Sequence, residues 1–160
     1  MSADALFAKG SDYFYARGVS RDYAAAMVWY RKAAEFGNAP AQTNIGYMYQ
    51  MGLGVDPDYA QAVIWNHKAA DQNYAIAQYN LGYLYEHGFG VTQDYAQAID
   101  WYLKAAKQNY IDAQYNLARL YEKGLGTSKN IDEALFWYGK AADQGDSQSK
   151  DAVERLSNSK

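Results

Sequence analysis

The chain carries apolar residues at the spacing of an α-helix, in stripes separated by short polar stretches. In the segment 77–87 the apolar positions follow at spacings of four, three and one, which places them on one side of a helix. They are Ala77, Leu81, Leu84 and Tyr85. A second stripe, at spacings of three, one and three, falls within 95–108 and consists of Ala98, Trp101, Tyr102 and Ala105. The pattern therefore predicts a hairpin of two helices, named helix A and helix B.

The hairpin pattern recurs along the chain at a step of 36 residues, and tryptophan marks the step most clearly. The tryptophans are Trp29, Trp65, Trp101 and Trp137. A period in this range, without a heptad pattern, is typical of a solenoid of stacked helical units rather than of one globular core. We expect an all-α fold of four repeats at about 5–40, 41–76, 77–112 and 113–146.

The boundaries of helix B are marked in every repeat. The residue before it is one whose side chain can accept hydrogen bonds from the free amides of the first turn. These N-cap candidates are Asp22, Asp58, Asp94 and Asn130. A lysine in the last turns favours the negative end of the helix dipole. After the helix comes glycine or asparagine, the residues that tolerate a left-handed C-cap conformation. They are Gly37, Asn73, Asn109 and Gly145.

Helix A contains a glycine in its interior, which costs about 1 kcal/mol relative to alanine and so requires a reason. The position is held by Gly10, Gly46, Gly82 and Ala118. We expect close approach of the neighbouring helix, with an aromatic ring over the missing side chain. Beyond the fourth repeat, Ser149, Val153 and Leu156 continue the helix A register. The segment 147–160 is thus expected to be a capping helix, from about Ser147 to Leu156, with a frayed tail.

Four consecutive segments carry a family resemblance: AQYNLGYLYE at 77–86, GFGV at 88–91, DYAQA at 94–98 and WYLKAA at 101–106. Together they resemble the Sel-one-like repeat (SLR), a relative of the tetratricopeptide repeat with a longer turn. The resemblance implies a right-handed α-α superhelix whose A helices line a concave face. It also implies protein–protein interaction, often as an adaptor in signalling, secretion or host contact. A bacterial branch of the family ties each hairpin with a disulfide, and this chain, which has no cysteine, falls outside that branch.

Net charge and hydropathy reduce the classes of partner that we expect for this chain. A net charge of −3 and a pI near 5.3 argue against nucleic acid, whose binders cluster Lys and Arg on one face. No stretch of 18 apolar residues predicts a membrane span, and the N-terminus lacks the pattern of a signal peptide. We expect a soluble chain, cytoplasmic as written and periplasmic or secreted if a leader was trimmed.

A second stripe on helix A, outside the core stripe, is the candidate partner-binding surface. We name it the A stripe, and it includes Phe14 and Tyr15 in the first repeat and Met51 in the second. Its candidate binding residues are Tyr47, Tyr79, Tyr83, Tyr115, Asn44, Asn80, Asn116, Glu86, Arg119 and Lys123. Tyrosine and arginine are favoured where one protein anchors on another. Two alternatives stay open. The tyrosines either dock a partner or pack between adjacent A helices, and each asparagine either bonds to the next repeat or meets the backbone of a bound segment.

Catalytic and metal chemistry find little support in the sequence. His67 and His87 lack the spacing of a His-Glu-x-x-His site, and no Gly-x-Ser-x-Gly elbow is present. The Gly-x-Gly pairs follow helices, whereas a phosphate loop needs a preceding strand. We therefore predict a non-catalytic module without cofactor or metal that binds a protein or peptide in its concave groove. The alternatives are a bacterial effector-neutralising or host-directed binder, a small-molecule binder or hydrolase, and a homodimer.

Overall fold

The computed structural model describes residues 1–158, which are folded into helices and turns without a β-strand. The helices of this part of the chain are α1 (Ala3–Tyr15), α2 (Tyr23–Glu35), α3 (Ala39–Met51), α4 (Tyr59–Ala70), α5 (Ala75–His87), α6 (Tyr95–Lys107), α7 (Ile111–Lys123), α8 (Ile131–Asp143) and α9 (Ser147–Ser157). The odd-numbered helices α1 to α7 are the predicted A helices, and the even-numbered ones are the B helices. The predicted all-α class is confirmed.

By its internal contacts the chain divides into two compact units. The first contains Met1–Ala77 and Phe89–Val91, and the second contains Gln78–Gly88 and the described residues from Thr92 onward. In the first unit α1 packs on α2, α2 on α3, and α3 on α4. In the second unit α6 packs on α7, α7 on α8, and α8 on α9. Each unit is therefore built from successive helix hairpins, as the sequence predicts.

Helix B begins where the caps predict. The side chains of Asp22, Asp58, Asp94 and Asn130 each accept a hydrogen bond from the amide three residues ahead. The backbone amide of the same residue donates back to the carbonyl of a tyrosine near the end of helix A, as Asp94 does to Tyr85 at 2.9 Å. After helix B, Asn73 and Asn109 adopt left-handed φ values of 62° and 63°. The cap predictions at both ends are confirmed.

Helix A begins earlier than its apolar stripe. The stripe predicts a start at Ala77, but α5 starts at Ala75. In the second repeat Asn38 caps α3 by accepting from the amide of Ala41, and Pro40 lies in the first turn. A first turn faces solvent on most sides and needs no apolar residue, so the periodic pattern does not reveal it.

At the interior glycines of helix A, a side chain of helix B occupies the space that a Cβ would fill. A Cβ added at Gly82 would lie 2.5 Å from the Tyr102 ring, and one at Gly10 would lie 2.6 Å from the Tyr30 ring. The expected aromatic contact is therefore present at these two positions. At Gly46 the neighbour is the amide of Asn66, which is fully buried and donates to the Ala62 carbonyl at 2.8 Å. There the expectation of an aromatic ring was wrong, because asparagine replaces tyrosine at that position of helix B.

Three glutamine pairs hold helix A against the end of helix B. The Nε2 group of the second glutamine donates to the Oε1 atom of the first, at 2.7 to 2.8 Å, in Gln42–Gln72, Gln78–Gln108 and Gln114–Gln144. Gln114 also donates to the Ala106 carbonyl of the preceding helix B at 3.1 Å. The first glutamine of each pair is buried. Because a buried amide is costly without partners, these bonds fix the register of adjacent helices.

The lysines near the end of helix B lie over aromatic rings. The Nζ atom of Lys104 is 4.0 Å from the centroid of Trp101, and Lys68 is 4.1 Å from Trp65. Such cation–π contacts contribute about 0.5–1 kcal/mol at exposed sites. The lysines thus have a second structural partner besides the helix dipole.

Helix α9 occupies the position of a further helix A. Ser149, Ala152 and Leu156 are buried on its inner side, and the carboxylate of Asp146 caps its start. The predicted capping helix is therefore present, and it extends one residue further than predicted, to Ser157. Ser159 and Lys160, the last part of the predicted frayed tail, lie outside the described residues.

Candidate partner-binding site

In the first unit the A stripe exposes aromatic and thioether side chains. Tyr47 is 43% exposed and Met51 is 53% exposed, both on α3. On α1, Tyr15 is 52% exposed. Phe14 lies behind them, with its ring centroid 4.8 Å from that of Tyr15 and 6.4 Å from that of Tyr47. This part of the stripe is a surface of large apolar groups at the ends of two A helices.

Asn44 belongs to the same stripe but is engaged inside the unit. Its side chain is hydrogen-bonded to the hydroxyl of Tyr30, which also lies 3.3 Å from the Ser11 hydroxyl. Burial is the main cause that raises the pKa of Tyr30, and these two bonds act against it. Tyr30 lies in the first repeat and Asn44 in the second. The contact therefore has the form of the repeat-to-repeat bond that the sequence left open.

In the second unit the carboxylate of Glu86 is buried inside the stripe. It accepts a hydrogen bond from the Tyr102 hydroxyl at 2.8 Å and forms an ion pair with Arg119. Burial and the neighbouring carboxylate raise the pKa of Tyr102. Burial lowers the pKa of Arg119, but the hydrogen bond and charge of Glu86 outweigh it and leave this pKa above its usual value. Glu86 and Arg119 thus link α5 to α7.

The same arrangement recurs one step further along the chain. Arg155 on α9 donates two hydrogen bonds to Glu122, at 2.8 and 3.1 Å, and Tyr138 donates to the same carboxylate at 2.9 Å. The hydrogen bonds from Arg155 are the main cause that holds the pKa of Glu122 below its ordinary value. Burial is the main cause that raises the pKa of Tyr138. The Arg155 side chain is 56% exposed, so this copy of the ion pair is more open to solvent.

The remaining candidates of the second unit differ in how far they are enclosed. Tyr79 is half-buried, with its ring 5.1 Å from Tyr110 and its hydroxyl hydrogen-bonded to Asn116. Tyr83 is half-buried and its ring lies 4.1 Å from that of His87. Asn80 is half-buried, and Lys123 is exposed at the end of α7. Tyr79 and Asn116 therefore make contacts between repeats, whereas Lys123 faces solvent.

A cleft of about 350 Å³ opens between α7, α8 and α9. It is lined by Tyr115, Tyr138, Gln148, Asp151, Ala152 and Arg155. The rings of Tyr115 and Tyr138 form one side, with centroids 5.6 Å apart. The sequence analysis singled out only Tyr115 of this group. The signal that it did not use is the 36-residue register, which places Asp151 and Ala152 where α7 has Tyr115 and Asn116.

Within residues 1–158 no group of three or more His, Cys, Asp or Glu side chains is arranged to hold a metal ion. Over the same range no helix is both long and apolar enough to cross a bilayer.

Helix hairpins recur every 36 residues, and in each one helix A carries glycine or alanine at the same position. This arrangement defines an α-helical repeat protein. The Sel1 repeat family model matches four consecutive segments, 3–38, 39–74, 75–110 and 111–146. The chain belongs to the Sel1 repeat family.

Solved structures agree with this assignment. The crystal structure of c5321, a protective antigen present in uropathogenic Escherichia coli strains displaying an SLR fold, is 38% identical, with a TM-score of 0.95 over 96% of this chain and 33% of that one. A Sel1 repeat protein from Oxalobacter formigenes is 34% identical, with a TM-score of 0.91 over 96% of this chain and 63% of that one. Among curated proteins, the uncharacterized protein NMB1327 of Neisseria meningitidis is 42% identical over 50 residues, which are 31% of this chain and 11% of that protein. The chain thus spans less than two thirds of the length of each.

Proposed function

We propose that the chain is a non-catalytic module that binds a peptide or protein partner on the A stripe. Sel1 repeats are in general protein-interaction modules, which gives the class of function. The observation that carries the proposal is the exposed position of Tyr47, which stands next to Met51 and is supported from behind by Phe14. Large apolar groups that share one exposed face are a common feature of interaction sites, and tyrosine is enriched among the residues that dominate binding energy.

The second unit supports the proposal through Tyr83 and Lys123. Tyr83 presents a half-buried ring, and Lys123 adds an exposed positive charge. Glu86 and Arg119 contribute differently, because their charges are directed at each other. Replacing either would weaken the hairpin contacts along with any binding. Their role in binding is therefore best tested after the exposed residues.

The charge state of Glu122 argues against one catalytic role beside the cleft, that of a general acid. A carboxyl group that acts as a general acid near neutral pH needs a raised pKa. The hydrogen bonds from Arg155 instead lower the pKa of Glu122. Its carboxylate therefore serves as a fixed anion that holds α9 and Tyr138 in place.

Affinity purification with mass spectrometry, using the tagged chain in its native cell, tests the proposal. We expect the double variant Tyr47→Ala, Met51→Ala to lose proteins that the wild type captures, with unchanged far-ultraviolet circular dichroism. The matched control is Ile64→Ala, because Ile64 is 47% exposed in the same unit but lies on helix B. It should retain the captured proteins. If the double variant retained the captured proteins, the proposal would be overturned.

Light scattering of the purified chain would test the alternative that it forms a homodimer.

A further inference from the structure

Helix α9 and its N-cap differ from helix α7 around the cleft. At a step of 36 residues, Asp146 corresponds to Tyr110, the N-cap of α7. Asp151 and Ala152 correspond to Tyr115 and Asn116 on α7. All three departures replace a larger side chain by a smaller one. Two of the three, Asp151 and Ala152, line the cleft together with Tyr115, so the cleft follows from the sequence of α9.

The preceding layer, formed by α5, α6 and α7, shows which side-chain contacts are absent from the cleft. Tyr79 has the same position on α5 as Tyr115 has on α7, and its centroid lies 5.8 Å from Tyr102, close to the 5.6 Å between Tyr115 and Tyr138. Tyr79 is covered by the Tyr110 ring at 5.1 Å, and Asn116 is hydrogen-bonded to its hydroxyl.

One layer further on, these partners cannot form. The carboxylate of Asp146 caps α9 and cannot stack on Tyr115, and Ala152 has no group that could bond to the Tyr115 hydroxyl. The cleft thus has the lining of an aromatic contact without the covering ring.

We propose that the cleft binds an aromatic side chain of the protein partner, with a Lys or Arg of the partner next to Asp151. The inference rests on the proposed function and adds the chemistry of the partner. A volume of about 350 Å³ lies at the small end of ligand pockets, roughly 300–1,000 Å³, and suits one inserted side chain. An aromatic ring would restore the contact that Tyr110 gives Tyr79.

The charge of the cleft lining favours one kind of partner residue next to the inserted aromatic ring. Arg155 contributes the cation of the lining, but both of its bonded nitrogens are directed at Glu122. Asp151 is exposed at the rim and contributes a negative charge. A basic partner residue would therefore meet a favourable field, whereas an acidic one would meet repulsion.

Titration of the ¹⁵N-labelled full chain with N-acetyl-Tyr-Lys-amide, followed by NMR, tests the inference. We expect amide shifts at Gln148 and Ala152 that saturate with a Kd on the order of 1 mM, because the probe is small. N-acetyl-Ala-Lys-amide should bind about tenfold more weakly, since it lacks the ring. N-acetyl-Tyr-Glu-amide should also bind more weakly. Absence of shifts at the cleft with the Tyr-Lys probe, or equal binding of all three probes, would overturn the inference.

Two variants and a control separate the cleft from the rest of the A stripe. The double variant Asp151→Tyr, Ala152→Asn restores two of the three larger side chains while keeping the Asp146 cap, fills the cleft and should abolish dipeptide binding. Glu154→Gln, a charge change at an exposed position of α9 that does not line the cleft, should leave it unchanged. Asp151→Asn removes one charge without adding bulk and should remove the preference for Lys over Glu. A partner that is lost by the Tyr47 and Met51 variant but retained by the rebuilt one would refute the inference while the proposed function holds.

Discussion

Glu86 pairs with Arg119, which lies 33 residues further along the chain, and the pair joins neighbouring A helices within the second unit. Glu122 and Arg155 repeat the arrangement at the same separation. In both copies a helix B tyrosine donates a hydroxyl hydrogen bond to the glutamate, so that one carboxylate holds three helices together. The two copies differ in exposure: the arginine side chain is 23% exposed in the first and 56% in the second.

This difference predicts unequal costs for removing the glutamate. Glu86→Ala should lower the free energy of unfolding by about 3 kcal/mol, because it leaves a half-buried guanidinium and a buried hydroxyl without their partner. Glu122→Ala should cost about 1 kcal/mol, since solvent can reach Arg155. Urea unfolding of the two variants checks the order. Equal losses would show that burial does not set the strength of the pair.

The lowered pKa of Glu122 predicts that the free energy of unfolding depends on pH. Because Arg155 holds this pKa below its ordinary value of 4.5, the folded state favours the charged carboxylate. The stabilisation is therefore complete above about pH 4.5 and is lost as pH falls through the folded pKa. The hydrogen bond from Tyr138 and the charge of Lys123 lower the pKa of this carboxylate in the same direction as Arg155.

The measurement compares the wild type with Glu122→Gln by urea unfolding at pH 6 and pH 3. The wild type should be more stable at pH 6, and the difference should shrink at pH 3. Glu154→Gln, a change on the exposed side of α9, provides the comparison for a carboxylate outside the pair. A difference that stays constant across this range would contradict the assignment.

Two glycines in helices should respond oppositely to alanine. Gly82→Ala should destabilise the chain by about 1–3 kcal/mol, because the added Cβ would lie 2.5 Å from the Tyr102 ring and overpacking outweighs the gain in helix propensity. Gly139→Ala, on α8, should stabilise it by about 0.5–1 kcal/mol, since no neighbouring atom lies within 4 Å of the new group. Thermal unfolding gives both signs, and a stabilised Gly82→Ala variant would contradict the packing role.

Features that depend on local chemistry could be predicted from the sequence. Asp94 can cap a helix in any fold that places it there, and Asn109 can adopt a left-handed C-cap without knowledge of its neighbours. The contact between Gly82 and Tyr102 was also accessible, because a small residue recurs at this position of helix A in all four repeats, whereas Gly139 has no counterpart in the other repeats. The contact at Gly46 was not, since only the structure shows that Asn66 fills the space of a ring.

The candidate site was harder to predict, because its residues act across repeats. The sequence placed Glu86 and Arg119 on one stripe but did not pair them, since the separation of 33 residues corresponds to no helical spacing. The cleft was missed for a related reason. It depends on what α9 lacks relative to α7, and the significance of Ala152 becomes visible only when Asn116 is seen bonded to Tyr79.

The turn of the first repeat carries a strained residue, which predicts an asymmetry between two reciprocal substitutions. Ala16 ends α1 with a left-handed φ of 58°, at the position that Gly52 holds in the second repeat with a φ of 66°. An alanine in this conformation costs about 1–2 kcal/mol, whereas glycine adopts it freely. Ala16→Gly should therefore stabilise the chain by about 0.5–1 kcal/mol, after the greater entropy of the unfolded glycine chain is subtracted.

The reverse change, Gly52→Ala, should cost more than Ala16→Gly gains. It introduces the same backbone strain, and its Cβ would in addition lie 2.7 Å from Cγ of Pro57, a rigid ring that cannot rotate away. A loss of about 2 kcal/mol or more is expected. Urea unfolding of both variants beside the wild type measures the asymmetry. If Gly52→Ala costs no more than Ala16→Gly gains, the contact with Pro57 contributes nothing and backbone strain alone accounts for glycine at this turn.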